Sequence, residues 1–154
     1  MHSLISFVAG QDYFRKVYFF QRPSSYKLDF EALPDGKTAL LGGMLLPDST
    51  AQSTLLLLDA KGEIIWSKIL ITGASSYGSA LTLTPDGNLL VGLNAADSTG
   101  IPYSAVLKMS IVSGAILWES QIVLPVDTQI GTKTVRIIPL TDGGCAGLAH
   151  HRLV

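Results

Sequence analysis

A hairpin that recurs at a fixed interval is the feature that most constrains the fold of this chain. Its clearest copy runs from Leu55 to Ile71, two short apolar runs joined by the polar turn Asp59-Ala60-Lys61-Gly62-Glu63. The turn glycine recurs every 52 residues, since 62 − 10 and 114 − 62 are both 52, at Gly10, Gly62 and Gly114. An aromatic residue follows each glycine by four positions, as Phe14, Trp66 and Trp118. Short isoleucine-rich runs joined by a glycine turn favour strands over a helix.

A second marker lies between the hairpins. Pro34-Asp35-Gly36 recurs as Pro85-Asp86-Gly87 and, less fully, as Thr141-Asp142-Gly143. Each triplet precedes a short apolar run that reaches a glycine, at Gly42, Gly92 and Gly147. A loop also repeats, because Asp48-Ser49-Thr50 returns as Asp97-Ser98-Thr99. Two interleaved markers with a shared period indicate internal repetition of one structural unit.

Each unit is predicted to contain four short antiparallel strands within about fifty residues. Thr72 to Ser79 is predicted to be a connection, with the first strand of the second unit beginning at Ala80. The turn before Gly114 has one extra residue, since Ser110-Ile111-Val112-Ser113 replaces Asp59-Ala60-Lys61. Proline presets one turn dihedral and glycine accepts a positive one, so Gly36 and Gly87 are predicted to have positive φ in hairpin turns. The units run over residues 1–25 (a half), 26–78, 79–131 and 132–154 (a half). The predicted fold class is all-β, within a single domain.

The stretch Asp59 to Trp66, DAKGEIIW, resembles the D-x-x-G-x-x-x-W repeat signature of PQQ-like, quinoprotein-type β-propellers. Asp35-Gly36 and Asp86-Gly87, each followed by a strand and a glycine, resemble the first hairpin of the same repeat. The resemblance covers nearly the whole chain. It implies a β-propeller segment of four-stranded antiparallel blades, with two complete blades flanked by two half-blades. It also implies that Trp66 and Trp118 pack against the neighbouring blade, that further blades or other copies complete the ring, and that the location is periplasmic or secreted.

Composition narrows the classes of function. Apolar residues make up 47% of the chain and charged residues 15%, with a formal net charge of −1. The chain is therefore predicted to be ordered and to lack the basic field that nucleic-acid binding requires. Glycines and serines interrupt the weakly charged stretch from Ile69 to Pro85, which makes it a poor membrane span. The single cysteine, Cys145, has no internal disulfide partner and does not indicate a compartment.

No residues are predicted to be catalytic, to bind a cofactor or to bind a metal. The resemblance implies that a quinoprotein enzyme needs a bed of acidic and amide side chains, a calcium ion and often a disulfide of adjacent cysteines, and none of these can be placed. Cys145 and His150-His151 are metal-ligand types, but adjacent residues on a strand point opposite ways. The serines at 75, 76 and 79 do not form a G-x-S-x-G motif, and no G-x-x-x-x-G-K sequence occurs.

The repeated loops Asp48-Ser49-Thr50 and Asp97-Ser98-Thr99 are the best candidates for a binding site. Equivalent loops of successive blades emerge on one rim, where a cation, a carbohydrate or a protein could bind. The alternative is that their side chains only form turns, which is also the interpretation of Asp35 and Asp86.

The sequence thus predicts a non-catalytic β-propeller scaffold or binding module, a segment of a longer repeat protein. Two alternatives stay open. One is a part of a propeller enzyme whose active residues lie in other blades. The other is a small, self-assembling, lectin-like propeller.

Overall fold

The structure is a computed structural model that describes residues 29–45, 50–70, 73–122 and 133–150. Within these ranges the chain is all-β and contains no helix, which confirms the predicted class. Accordingly, the described part of the chain contains no helix of the length and apolarity that crossing a membrane would require. The predicted first hairpin, over residues 4–20, lies outside the described residues.

The described strands form three antiparallel sheets, and strands that are adjacent in the chain are also adjacent in each sheet. The first sheet contains β1 (Asp29–Ala32), β2 (Thr38–Leu45), β3 (Ala51–Leu58) and β4 (Ile64–Leu70). The second contains β5 (Ser75–Leu83), β6 (Leu89–Ala96), β7 (Pro102–Met109) and β8 (Ile116–Ile122). The third contains β9 (Lys133–Pro139) and β10 (Cys145–His150). Four-stranded antiparallel sheets are therefore confirmed for both complete units.

One turn geometry connects most of these strands. In the first turn the Leu33 N–H donates to Lys37 O at 2.9 Å, and the Gly36 N–H donates to Leu33 O at 3.0 Å. The same pair of bonds closes the turns that begin at Asp59, Thr84, Asp97 and Leu140. Gly36 and Gly87 have φ values of 80° and 76°, so the predicted positive dihedrals are confirmed. The turn from Ser110 to Ala115 is one residue longer, as its sequence indicated.

The sheets pack in series. β5 contacts β1, β2 and β3, and β9 contacts β5, β6 and β7 in the same way. The larger core lies between the first two sheets and includes Leu41, Leu55, Leu57, Leu81, Val91 and Leu107. A smaller core between the second and third sheets consists of Ala80, Leu90, Val106 and Ile137. Because the second sheet is covered on both faces, its central strands are apolar on successive residues rather than alternating.

β5 begins at Ser75, whereas the sequence predicted a connection up to Ser79 and a strand only from Ala80. The small residues of this stretch allow β5 to pack closely on the first sheet; they do not form a loop. Ser76 is fully buried, and its Oγ accepts a hydrogen bond from the Ser53 N–H at 3.0 Å. A Cβ added to Gly78 would lie 2.5 Å from Leu41 Cγ, so only glycine lets β5 approach the first sheet this closely.

Trp66 joins the first sheet to the second. Its Nε1 donates a hydrogen bond to Ile111 O, at 3.0 Å, in the turn between β7 and β8. Trp118 occupies the corresponding place in the second sheet and packs on the smaller core beside Cys145. Trp66 contacts the next sheet as predicted, and Trp118 packs on a cluster that includes Ile137 of the third sheet. Both indoles are half-buried, because β4 and β8 are outer strands.

Large apolar side chains are exposed at both ends of the series. Phe30, on the face of the first sheet that points away from the second, is 58% exposed. Ile138, on the corresponding outward face of the third sheet, is 55% exposed. The first and third sheets thus each expose a large apolar side chain on the face that points away from the second sheet.

Candidate functional site

The first strands of the three sheets, β1, β5 and β9, border a cleft of about 370 Å³. These strands come together because each later sheet begins on the face of the one before it. The cleft is lined by Asp29, Phe30 and Glu31 of β1, by Ala80, Leu81 and Thr82 of β5, and by Arg136, Ile137, Ile138 and Pro139 of β9. Residues from three successive repeats therefore meet at one place.

Opposite charges lie on the two outer walls of this cleft. Asp29 and Glu31 are two positions apart on β1, so their side chains share one face of the strand. Asp29 Oδ2 accepts a hydrogen bond from the Leu81 N–H at 2.9 Å, which satisfies a backbone donor at the inner edge of β5. Arg136, on β9, is exposed. Carboxylates therefore line the β1 side of the cleft, and Arg136 borders its β9 side.

An ion pair within the second sheet joins a buried lysine to an exposed aspartate. Lys108, on β7, is only 7% exposed, and its Nζ lies 2.8 Å from Asp86 Oδ2 in the turn between β5 and β6. Asp86 also accepts hydrogen bonds from the Thr84 hydroxyl and from Asn88 Nδ2. The hydrogen bond from Lys108, followed by that from Thr84, holds the pKa of Asp86 well below its usual range. Such a pair fixes the turn against the strand and is a structural feature.

Sequence reasoning missed Lys108. Lys108 pairs with Trp118 across β7 and β8, just as Leu57 pairs with Trp66 across β3 and β4. A lysine at the position of a core leucine, within the otherwise apolar run Ala105 to Met109, was the available signal. The repeat alignment would have shown that this side chain points into the space between sheets.

The loop Asp97-Ser98-Thr99, the second of the two repeated candidate loops, is a turn. Asp97 Oδ1 accepts hydrogen bonds from the Thr99 N–H at 2.8 Å, the Thr99 hydroxyl at 2.6 Å and the Ile101 N–H at 2.9 Å. These bonds, that from the Thr99 hydroxyl foremost, hold the pKa of Asp97 below its usual value. Asp97 therefore stabilises its own loop, as the turn-forming alternative predicted. Asp48 and Ser49 lie outside the described residues.

The aspartates of the other turns have the same role. Asp35 Oδ1 accepts a hydrogen bond from the Lys37 N–H at 3.2 Å, and its Oδ2 pairs with Lys37 Nζ at 2.6 Å. Asp59 Oδ1 accepts hydrogen bonds from the backbone N–H groups of Lys61 and Glu63. The repeated aspartates are thus explained by turn geometry.

The remaining candidates do not come together as a chemical site. Cys145 is half-buried against the Trp118 cluster, and burial raises the pKa of its thiol. His151 lies outside the described residues, and within them no three His, Cys, Asp or Glu side chains are grouped as metal ligands. The Ser76 hydroxyl is hydrogen-bonded to Gln52 Oε1 at 2.9 Å and to Leu70 O at 3.0 Å, which makes it a structural group.

Comparisons with known proteins do not identify a family. No family model matches the chain, and no curated protein matches it. One similar solved structure is the crystal structure of a protein of unknown function from Bacteroides caccae, at 16% identity and a TM-score of 0.23. The match covers 73% of this chain and 56% of that one. The chain therefore spans little more than half the length of the structure it matches.

Proposed function

We propose that the chain is a segment of a β-propeller that acts as a non-catalytic scaffold or binding module within a longer repeat protein. The observation that carries this proposal is the serial packing of the sheets, in which each later sheet begins on the first three strands of the sheet before it. Propeller blades are four-stranded sheets arranged around a central channel. The cleft between β1, β5 and β9 takes the position of that channel.

The tryptophan contacts support the same arrangement. The repeat signature places Trp66 and Trp118 at equivalent positions. Trp66 bonds to the sheet that follows it, and Trp118 packs on a cluster that includes Ile137 of the next sheet. The hydrogen bond from Trp66 joins β4 to the turn between β7 and β8 of the next sheet. A contact repeated at this position is what a ring of similar blades requires.

The chemistry of the described residues supports binding rather than catalysis. The carboxylates of Asp59 and Asp97 accept hydrogen bonds from their own turns, and Asp86 is paired with Lys108. The lining of the cleft contains charged and apolar side chains and a threonine, without a serine, cysteine or histidine. These groups can recognise a polar ligand without reacting with it.

Two alternatives stay open, a propeller enzyme with its active residues in other blades and a self-assembling, lectin-like propeller. Neither has an observation in its favour among the described residues.

Ligand-detected NMR with neutral monosaccharides, acidic monosaccharides and free amino acids tests the binding role. We expect saturation transfer to at least one class, and we expect Thr82→Trp to abolish it by filling the cleft. The matched control is Ser98→Ala, on the exposed rim loop, which should leave the signal unchanged. The same spectra report chemical conversion, and conversion of any probe would contradict a non-catalytic role. Loss of binding in Ser98→Ala alone would indicate that the ligand binds at the loop Asp97-Ser98-Thr99 and not in the cleft.

A further inference from the structure

We infer that the cleft binds a small ligand through a carboxylate group of that ligand, at the edge of β9 that faces β5. The inference rests on the proposed function, since it names the chemical class that the binding module takes. Its structural basis is a carboxylate that the chain itself places between the first and second sheets. At the corresponding place between the second and third sheets the chain has an alanine.

Asp29 shows how a carboxylate binds at the inner edge of a sheet. The inner edge of β1, β5 or β9 is the side that has no neighbouring strand of its own sheet among the described strands. Asp29 Oδ1 accepts a hydrogen bond from the Phe30 N–H at 3.0 Å, and its Oδ2 accepts one from the Leu81 N–H, on β5, at 2.9 Å. One carboxylate thus bridges the inner edges of the first and second sheets.

The turns align the first strands of the three sheets residue by residue. Each of these strands leads into the same kind of turn, which begins with a residue whose N–H closes it: Leu33, Thr84 and Leu140. Ile137 lies three positions before its turn, as Leu81 does (140 − 137 and 84 − 81). Ala80 lies four positions before its turn, as Asp29 does (84 − 80 and 33 − 29). Ile137 is therefore the counterpart of Leu81, and Ala80 is the counterpart of Asp29.

The Ile137 N–H points to the inner edge of β9. Hydrogen-bonded and non-hydrogen-bonded pairs alternate along two antiparallel strands, and counting from the turn bond makes Ile137 and Gly147 a non-hydrogen-bonded pair. The N–H of such a residue points away from the paired strand, as that of Leu81 does where it reaches Asp29. At the Ile137 N–H, Ala80 stands in the place of that aspartate and offers no side-chain acceptor.

The side chains around this place favour an anion. Thr82 lies two positions after Ala80, so its side chain shares the face of β5 that packs on the third sheet. Thr82 is half-buried and lines the cleft, where its hydroxyl can donate a hydrogen bond. Arg136 brings a positive charge to the β9 side, whereas Asp29 and Glu31 bring negative charges to the β1 side. A ligand carboxylate is therefore attracted to β9 and repelled from β1.

Backbone amide NMR of the whole chain with matched pairs of probes tests the carboxylate. The cleft volume, about 370 Å³, suits a small molecule, and a small carboxylate can come from an acidic sugar or from an amino-acid derivative. The first pair of probes is glucuronate and glucose, and the second is N-acetylglycine and its amide. We expect the carboxylate member of a pair to move the Ile137 amide proton downfield, through a charge-assisted hydrogen bond, and the neutral member to leave it in place. The pair that responds identifies the source. The Leu81 amide, which already donates to Asp29, is the internal control.

Four variants separate the groups that act on the carboxylate. Thr82→Val keeps the shape of the side chain without its hydroxyl and should weaken carboxylate binding about tenfold. Arg136→Gln should weaken it several-fold, with a smaller effect at high salt. The matched control on the opposite wall is Glu31→Gln, which should bind the carboxylate equally well or better. Ala80→Asp supplies the carboxylate from the chain, so its Ile137 amide should lie downfield without any probe and the probes should no longer bind. If Ala80→Asp does not fold, Thr82→Val and Glu31→Gln still decide the test.

Failure of this inference and failure of the proposed binding role give different results. Equal shifts of the Ile137 amide with glucose and glucuronate, or weaker carboxylate binding in Glu31→Gln, would overturn the inference. A neutral probe that binds in the cleft, loses its signal in Thr82→Trp and is not displaced by either carboxylate would also overturn it, while the binding role would stand. If no probe shifts any amide, then water alone occupies the place beside Ile137, and both the inference and the binding role are contradicted.

Discussion

Replacing Gly78 by alanine tests the packing of the first sheet on the second. Gly78 lies on β5, and a Cβ at this position would lie 2.5 Å from Leu41 Cγ and 2.9 and 3.0 Å from its two methyl carbons. Leu41 is 0% exposed and sits in the larger core. It cannot swing into solvent to make room. Gly78→Ala must therefore displace either the leucine or β5 itself.

Two opposed effects set the change in the free energy of unfolding that Gly78→Ala causes. Overpacking a core costs about 1–3 kcal/mol. Replacing a strand glycine by alanine returns about 0.5–1 kcal/mol through backbone entropy. We expect Gly78→Ala to lower the free energy of unfolding by about 1–2 kcal/mol. Leu41→Ala alone should cost about 2–5 kcal/mol, but it removes the atoms that clash. The double variant should then lose less free energy of unfolding than the sum of the two single losses, by about 0.5–2 kcal/mol.

Urea unfolding of the four proteins at one fixed protein concentration measures this coupling. The matched control is Gly147→Ala on β10, where an added Cβ meets nothing within 4 Å. It should be neutral or slightly stabilising. If Gly78→Ala is as stable as Gly147→Ala, or if its loss adds to that of Leu41→Ala without coupling, then β5 does not lie on Leu41 and the packing is wrong.

Three further outcomes are expected. The pKa of Asp86 is lower in the folded protein than in the unfolded chain, so its ionised carboxylate stabilises the fold above about pH 4. This stabilisation is lost as the pH falls towards the folded-state pKa. Asp86→Asn should therefore make the free energy of unfolding less dependent on pH in the acid range. Lys108→Leu, which installs the residue found at Leu57, should leave thermal stability unchanged or raise it, since it removes a desolvated ammonium while the exposed carboxylate of Asp86 stays hydrated. Trp66→Phe should lose only the hydrogen bond to Ile111, about 1 kcal/mol in denaturant titration, whereas Trp66→Ala should lose about 2–3 kcal/mol, less than a fully buried tryptophan.

The turns were predictable because their chemistry is local. Gly36 and Gly87 need a positive φ, and the residues that impose it lie within five positions along the chain. The repeat spacing then located the strands on either side. The same local logic identified Asp35 and Asp97 as turn residues.

Contacts between distant residues were not predictable from one sequence. Lys108 and Asp86 are 22 residues apart (108 − 86) and meet only because β7 and the turn after β5 share one face of the sheet. The cleft depends on β1, β5 and β9, which come from three different repeats. The start of β5 was misplaced because glycine and serine are common in turns, while their use at Gly78 follows from the closeness of Leu41.

The neighbour-to-neighbour order of the strands has an evolutionary consequence. Each sheet uses strands that are consecutive in the chain, and its main contacts outside itself are with the adjacent sheet. Duplication or loss of one whole unit therefore reproduces an interface that already exists and requires no new surface. Such a lineage can change its number of units in single genetic steps, whereas a fold with interleaved strands would have to rebuild its core. Substitutions that adapt one interface to a new neighbour can then accumulate after the duplication.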